Sequence, residues 1–221
     1  MATRKDVITQ IADNLLARSG RLRVGIDGVD TAGKTTRADE LAQAISAAGR
    51  PALRATIDGF HQPREFRYRR GPDSPEGYFA DSFDLPALRR VLLDPLGPGG
   101  DRREQTRLFD HRADAQVAAP VISAPPDCIL LFDGVFLQQP ALKGCFEVII
   151  FVQVSFETML ARAVQRDADA LGGEDAARAR YLARYIPAQQ RYLADFQPQR
   201  HADIIVKNDD PDRPGIVFNR S

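Results

Sequence analysis

The chain has 221 residues, 43% of them hydrophobic, which suits one domain with a substantial core. Lys and Arg total 30 and Asp and Glu total 30, and a formal charge of zero excludes a protein that coats nucleic acid through net positive charge. No apolar run is long enough to span a bilayer, the first residues lack the apolar core of a signal peptide, and Cys128 and Cys145 have no metal-ligand spacing; a cytoplasmic chain with reduced thiols and no membrane or nucleic-acid partner is expected.

In chain order, Asp6 to Arg18 places Val7, Ile8, Ile11, Leu15 and Leu16 on one side, which predicts an amphipathic helix ended by Gly20. Leu22 to Asp27 predicts a buried strand, and Ala38, Leu41, Ala42 and Ile45 predict a helix over Thr36 to Ala48. Ala52 to Ile57 predicts a second strand. Gln62 to Phe83 has loop composition, with Arg64, Arg67, Arg69 and Arg70 interleaved with Phe66 and Tyr68. Asp84 can cap a helix running to Leu93.

Gly97-Pro98-Gly99-Gly100 breaks the chain, and Arg103 to Ala119 reads as a β-hairpin or an irregular arm. Cys128 to Phe132, Glu147 to Val152 and Ala202 to Val206 predict strands; Phe156 to Ala168 and Asp175 to Phe196 predict helices. Strands that alternate with helices, several of them apolar throughout, imply an α/β fold with a mostly parallel central sheet and helices on both faces. Tyr181, Tyr185 and Tyr192 read as core packing, and His201 as structural. No repeat and no segment marking a subunit interface is visible.

Between the first strand and its helix lies Gly28-Val29-Asp30-Thr31-Ala32-Gly33-Lys34-Thr35, followed by Thr36. A strand, a glycine-bearing loop and a helix in this order form a P-loop, whose backbone amides and helix N-terminus cradle phosphates. Lys34 would reach the β- and γ-phosphates and Thr35 would ligate Mg²⁺. A three-layer P-loop NTPase fold is therefore expected, using a nucleoside triphosphate. Ligands in such sheets bind beyond the carboxyl ends of strands, where Asp58 and Asp133 also fall. Asp133 ends the most apolar strand and is the candidate metal ligand beside Thr35. Asp58 is the candidate base for an acceptor hydroxyl.

Ile57-Asp58-Gly59-Phe60-His61, Phe83-Asp84-Leu85-Pro86, Phe109-Asp110-His111 and Leu131-Phe132-Asp133-Gly134 follow the P-loop in that order. Together they resemble the uridine kinase and phosphoribulokinase family of P-loop kinases, from about Leu22 to Asp210. The resemblance implies a single kinase domain over the whole chain, 1–221, with an acceptor-side insertion at about 61–120 and a lid at about 162–178. It implies ATP and Mg²⁺, with Asp58 as base and Asp133 where the family usually has Glu. It further implies substrate contacts at His61, Asp81, Phe109 and His111, phosphate contacts from Arg162 and Arg166 on one helical face, and an adenine-side Asp210.

Two departures are visible. The lid region Ala170 to Asp175 lacks the family's Arg-Gly-Arg cluster, and Arg184 falls where nucleoside kinases carry Gln. The expected acceptor is a nucleoside such as uridine, with pantothenate or another sugar-like alcohol as the alternative. A regulatory P-loop GTPase or ATPase is the competing class; Lys207-Asn208-Asp209-Asp210 carries the residues of a guanine-specifying motif in the wrong order. The Arg64 to Arg70 stretch reads either as a clamp for an acidic acceptor or as a solvated loop beside Asp58.

Overall fold

In the computed structural model, which describes residues 3–219, six strands form one sheet in the order β10-β9-β8-β1-β7-β2. The first elements are α1 (Arg4–Leu16), β1 (Leu22–Gly28), α2 (Lys34–Ala47) and β2 (Ala52–Thr56). After a 3₁₀ turn, Ile57–Phe60, come the short helices α3 (Arg64–Arg67), α4 (Pro75–Asp81) and α5 (Leu85–Leu88), the last running into a π turn at Arg89–Leu93. Two small strand pairs follow, β3 (Arg103–Glu104) with β6 (Ile122–Ser123), and β4 (Phe109–Asp110) with β5 (Ala115–Gln116). The chain then re-enters the sheet as β7 (Ile129–Asp133) and β8 (Val148–Gln153). It continues as α6 (Phe156–Leu171), α7 (Glu174–Arg180), a π turn at Tyr181–Tyr185, α8 (Ile186–Phe196), α9 (Pro198–His201), β9 (Ile204–Lys207) and β10 (Gly215–Phe218).

In the six-stranded sheet all neighbouring strands are parallel except β10, which runs antiparallel to β9 at the sheet edge. β7 shows why the sheet is covered on both faces. Ile129 and Leu131 join Val7, Ile11, Leu15, Leu41, Ile45 and Met159 under α1, α2 and α6. Leu130 and Phe132, pointing the other way, join Phe60, Leu88, Leu92, Phe136 and Tyr192 under α5 and α8.

The predicted strands and long helices stand within a few residues of their observed bounds. The Gln62 to Phe83 segment does not: it contains α3 and α4. Ser74 caps α4 by accepting from the Gly77 amide at 3.0 Å, and Pro75 supplies the first helical residue. The expected helix from Asp84 is shorter and ends in the π turn, although Asp84 does cap it through the Ala87 amide at 2.9 Å. The Arg103 to Ala119 region holds strand β3 and the β4–β5 hairpin. The edge strand β10 has no counterpart in the sequence reading. Among the described residues, no helix is long and apolar enough to cross a membrane.

Candidate active site

Gly28 and Gly33 set the shape of the P-loop. Gly28 has φ +152°, and a β-carbon there would collide with the carbonyl oxygen of Val152 on β8. Gly33 has φ +92° and caps α2 in the left-handed region; a β-carbon there would meet Asn208 Nδ2 at 2.8 Å. Asn208, just past β9, donates to the Ala32 carbonyl at 2.7 Å and accepts from Arg37 at 2.7 Å. The loop is thus clamped from the far side of the sheet.

Lys34 is buried, and its Nζ donates to the Val29 carbonyl at 2.7 Å. Burial draws the pKa of Lys34 down, opposed by the carboxylates of Asp30, Asp133, Asp27 and Asp58. Thr35 Oγ1 donates to Asp133 Oδ2 at 2.6 Å, and Arg54 Nη2 on β2 donates to Asp133 Oδ1 at 2.8 Å. Asp133 is itself buried. A hydroxyl and a carboxylate oxygen at one point, beside a phosphate cradle, fit a hard divalent cation such as Mg²⁺, which takes one or two protein oxygens and completes its shell with phosphates and water.

Thr56 at the end of β2 stands opposite Asp133 at the end of β7, so Asp58, in the turn just beyond β2, reaches the same end of the sheet. Solvent reaches Asp58 through an open cleft, and its side chain is 57% exposed. The surrounding walls would push its pKa up, but the hydrogen bond to His61 and the charges of His61, His111 and Lys34 outweigh them and hold it below the usual value. His61 Nε2 lies 3.5 Å from Asp58 Oδ1, and its Nδ1 lies 3.0 Å from the Ser82 carbonyl oxygen. That carbonyl can only accept, so Nδ1 carries the proton there. The His61 ring is also stacked on Phe83, with centroids 4.6 Å apart.

These groups line one cleft of about 1130 Å³. Of the residues expected at a site, Asp30, Thr31, Gly33, Lys34, Thr35, Thr36, Asp58, His61, His111, Asp133, Arg162 and Arg166 line it. Gly28, Val29 and Ala32 lie buried behind the loop. The Asp30 amide donates to Gln189 Oε1 at 2.6 Å, while its carboxylate accepts from Tyr78 and Gln189 rather than facing outward. Burial raises the pKa of that carboxyl against the pull of Lys34 and Arg166.

Three expected contacts lie off the cleft wall. Asp81 is buried, with Arg69 at 2.6 Å and Arg70 at 2.7 Å filling its carboxylate, so it braces α4 instead of facing the cavity. Phe109 is packed into the core, which leaves His111 as the lining member of its segment. Asp210 is exposed and closes its own turn by accepting from the Asp212 and Arg213 amides. Tyr181 and Tyr185, read as core, pack and also line the cleft, and His201 is exposed at the end of α9.

No protein-family model and no curated protein matches the sequence significantly. Solved structures match most of it. A possible uridine kinase from Bacillus stearothermophilus aligns over 91% of this chain and 97% of its own, at 24% identity and a TM-score of 0.73. A proposed fructose transport system kinase from Silicibacter sp. TM1040 aligns over 85% and 94%, at 28% identity and a TM-score of 0.70. By structure, this chain is similar to P-loop kinases of the uridine kinase and phosphoribulokinase type. A D-glycerate 3-kinase from Cryptococcus neoformans var. grubii shares the fold over 96% and 99%, at 15% identity and a TM-score of 0.69.

Several residues that shape this cleft carried no motif. Arg54, Asn208, Gln189 and Tyr78 act through strand register and helix packing. Arg184 is fully buried; its Nη1 donates to the Gly71, Pro72 and Ser74 carbonyls, its Nη2 to Arg67, and it lies 4.8 Å from the centre of the Tyr68 ring. It ties the π turn before α8 to the α3–α4 loop. On α6, Arg166 is held by Asp167 at 2.8 Å and Tyr181 at 3.0 Å, while Arg162 donates to the Asn208 and Asp209 carbonyls at 2.9 Å.

Proposed function

We propose that the protein transfers the γ-phosphoryl group of ATP, with Mg²⁺, to a hydroxyl of a small metabolite. The observation that carries this reading is the convergence of Lys34, Thr35 and Asp133 with Asp58 on one cleft, the two aspartates rising from adjacent parallel strands. A nucleotide-binding loop alone would serve a switch as well as a kinase. A carboxylate held ionised on the opposite side of the cleft adds the group an alcohol acceptor needs.

Asp58 takes the acceptor proton as its oxygen attacks, and the ADP leaving group departs on the opposite side. Lys34 exchanges the Val29 carbonyl for phosphate oxygens, and its ammonium meets their negative charge. Arg166 and Arg162, on the helix that opens the lid at about 162–178, approach the same phosphates. Thr35 and Asp133 would hold the magnesium ion, which when bound neutralises charge on the β- and γ-phosphates. The segment at about 61–120 supplies the acceptor wall of a single kinase domain. A nucleoside is the acceptor given by the motif resemblance, and pantothenate or another sugar-like alcohol is its alternative.

The test is phosphoryl transfer from ATP across a panel of nucleosides, pantothenate, hydroxy acids and sugars, read as phosphorylated product. A product from at least one class is expected. ATP that is merely hydrolysed, or left untouched, across the panel and across metabolite extracts would remove the kinase reading.

A further inference from the structure

Charge is distributed unevenly around the cleft. On the nucleotide side every cation has a partner: Lys34 meets the Val29 carbonyl, Arg166 meets Asp167, and Arg162 meets backbone carbonyls. The opposite wall carries Arg64, Arg67 and Arg112 with His61 and His111, and Asp58 is the carboxylate on that side of the lining. Arg67 is paired with Asp114 at 2.9 Å.

Arg64 and Arg112 differ from the rest. Among the described residues neither guanidinium makes a hydrogen bond or an ion pair; each residue donates through its backbone amide, Arg64 to Asp114 and Arg112 to Asp110, at 2.8 and 2.9 Å. The nearby acids accept through Oδ1 from other donors: Asp110 also from the Ala113 amide, and Asp114 also from Arg67. Both arginines are exposed and line the cleft. The Tyr68 ring, 5.4 Å from the Arg64 guanidinium carbon and 4.8 Å from that of Arg184, stiffens this wall. The pKa of His111 is drawn down, first by burial and then by the charges of His61, Arg67 and Arg112, against the pull of Asp58.

We propose that the acceptor is an anionic alcohol, whose carboxylate or phosphate is bound by Arg64 and Arg112 while its hydroxyl faces Asp58. The orientation follows from charge: an anion is repelled by the Asp58 carboxylate and drawn to the guanidinium groups, which leaves the neutral hydroxyl for Asp58. A neutral nucleoside gains nothing from these two groups, which stay hydrated beside it. The proposal rests on the kinase reading and narrows its acceptor class.

Matched pairs test it: glycerate against glycerol, pantothenate against pantothenyl alcohol, fructose 1-phosphate against fructose, with uridine beside them. The charged member of a pair should have the higher kcat/KM by about tenfold or more, as expected for charge-assisted hydrogen bonds. The carboxylate and phosphate pairs show which anion is taken. The double variant Arg64→Gln and Arg112→Gln, both surface changes, should raise KM for that acceptor about tenfold or more and leave KM for ATP unchanged. Preference for the neutral members or for uridine, or an unchanged acceptor KM in the double variant, overturns the anionic assignment while the kinase reading stands. Absence of transfer to every compound overturns both.

Discussion

Thr35 Oγ1 donates to Asp133 Oδ2 at 2.6 Å across 98 positions of sequence. The bond joins the first turn of α2 to the end of β7 and places the two oxygens proposed for Mg²⁺ in contact. Replacing Asp133 by Ala should retain nucleotide binding, raise the Mg²⁺ concentration needed for half-maximal transfer, and lower kcat on the order of 10²-fold. Chelation of the metal should abolish transfer in the parent protein, and added Mg²⁺ should restore it. Unchanged metal dependence in the variant would remove Asp133 from the metal site.

Arg54, half-buried on β2, is the cationic partner of the same carboxylate. In Arg54→Met, Asp133 keeps Thr35 and Thr56 but loses its cation. Stability should fall on the order of 3 kcal/mol, because a buried charge is left short of compensation. Denaturant unfolding with and without Mg²⁺-nucleotide checks the cause: ligand should stabilise the variant more than the parent, since the metal replaces the lost positive charge.

Asp58→Asn should bind ATP normally and lose about 10²- to 10⁴-fold in transfer. Because the pKa of Asp58 lies below its ordinary value of 3.8, the carboxylate is ionised throughout the neutral range. Its contribution to stability is present above that value and disappears as pH falls through the lowered one. The pH profile of kcat/KM should therefore show no acid limb from Asp58 at or above about pH 4. A limb near pH 6 that survives in Asp58→Asn would point to a histidine instead.

Tyr192 donates to Asp27 Oδ2 at 2.5 Å, inside the core and directly before the P-loop. Asp27 is fully buried; burial raises its pKa, with the Tyr192, Gln138 and Gly28 hydrogen bonds opposing the rise. Tyr192→Phe should cost about 1 to 3 kcal/mol, since a buried acceptor loses a partner. A group whose folded pKa is raised contributes stability at low pH and loses it as pH rises through the folded value. Because the Tyr192 hydrogen bond favours ionised Asp27, the loss in Tyr192→Phe should grow as pH rises through that raised folded value. Denaturant unfolding at several pH values reads this slope, and a pH-independent loss would mean that Tyr192 acts through packing alone.

Sequence by itself determined the P-loop, the strand and helix that flank it, and the two aspartates at strand ends. Each of these rests on a contiguous stretch: glycines where the backbone must turn or approach closely, and apolar runs that are buried on both faces. The Asp84 cap was legible for the same reason, and the Ser74-Pro75 start of α4 carried a signal that the surrounding Gly and Pro obscured. The tertiary structure alone decided which distant groups meet. Register between β2 and β7 brings Arg54 to Asp133; the return of the chain after β9 brings Asn208 to the P-loop; packing of α8 brings Gln189 to Asp30 and Tyr192 to Asp27. It also turned Asp81 inward, where Arg69 and Arg70 fill it, and left the Arg64 and Arg112 guanidinium groups at the cleft with no hydrogen bond or ion pair among the described residues. Local backbone preferences act over a few residues and can be read in order along the chain. The choice of partner for a charge depends on which elements pack together, and that is fixed by burial across the whole sheet.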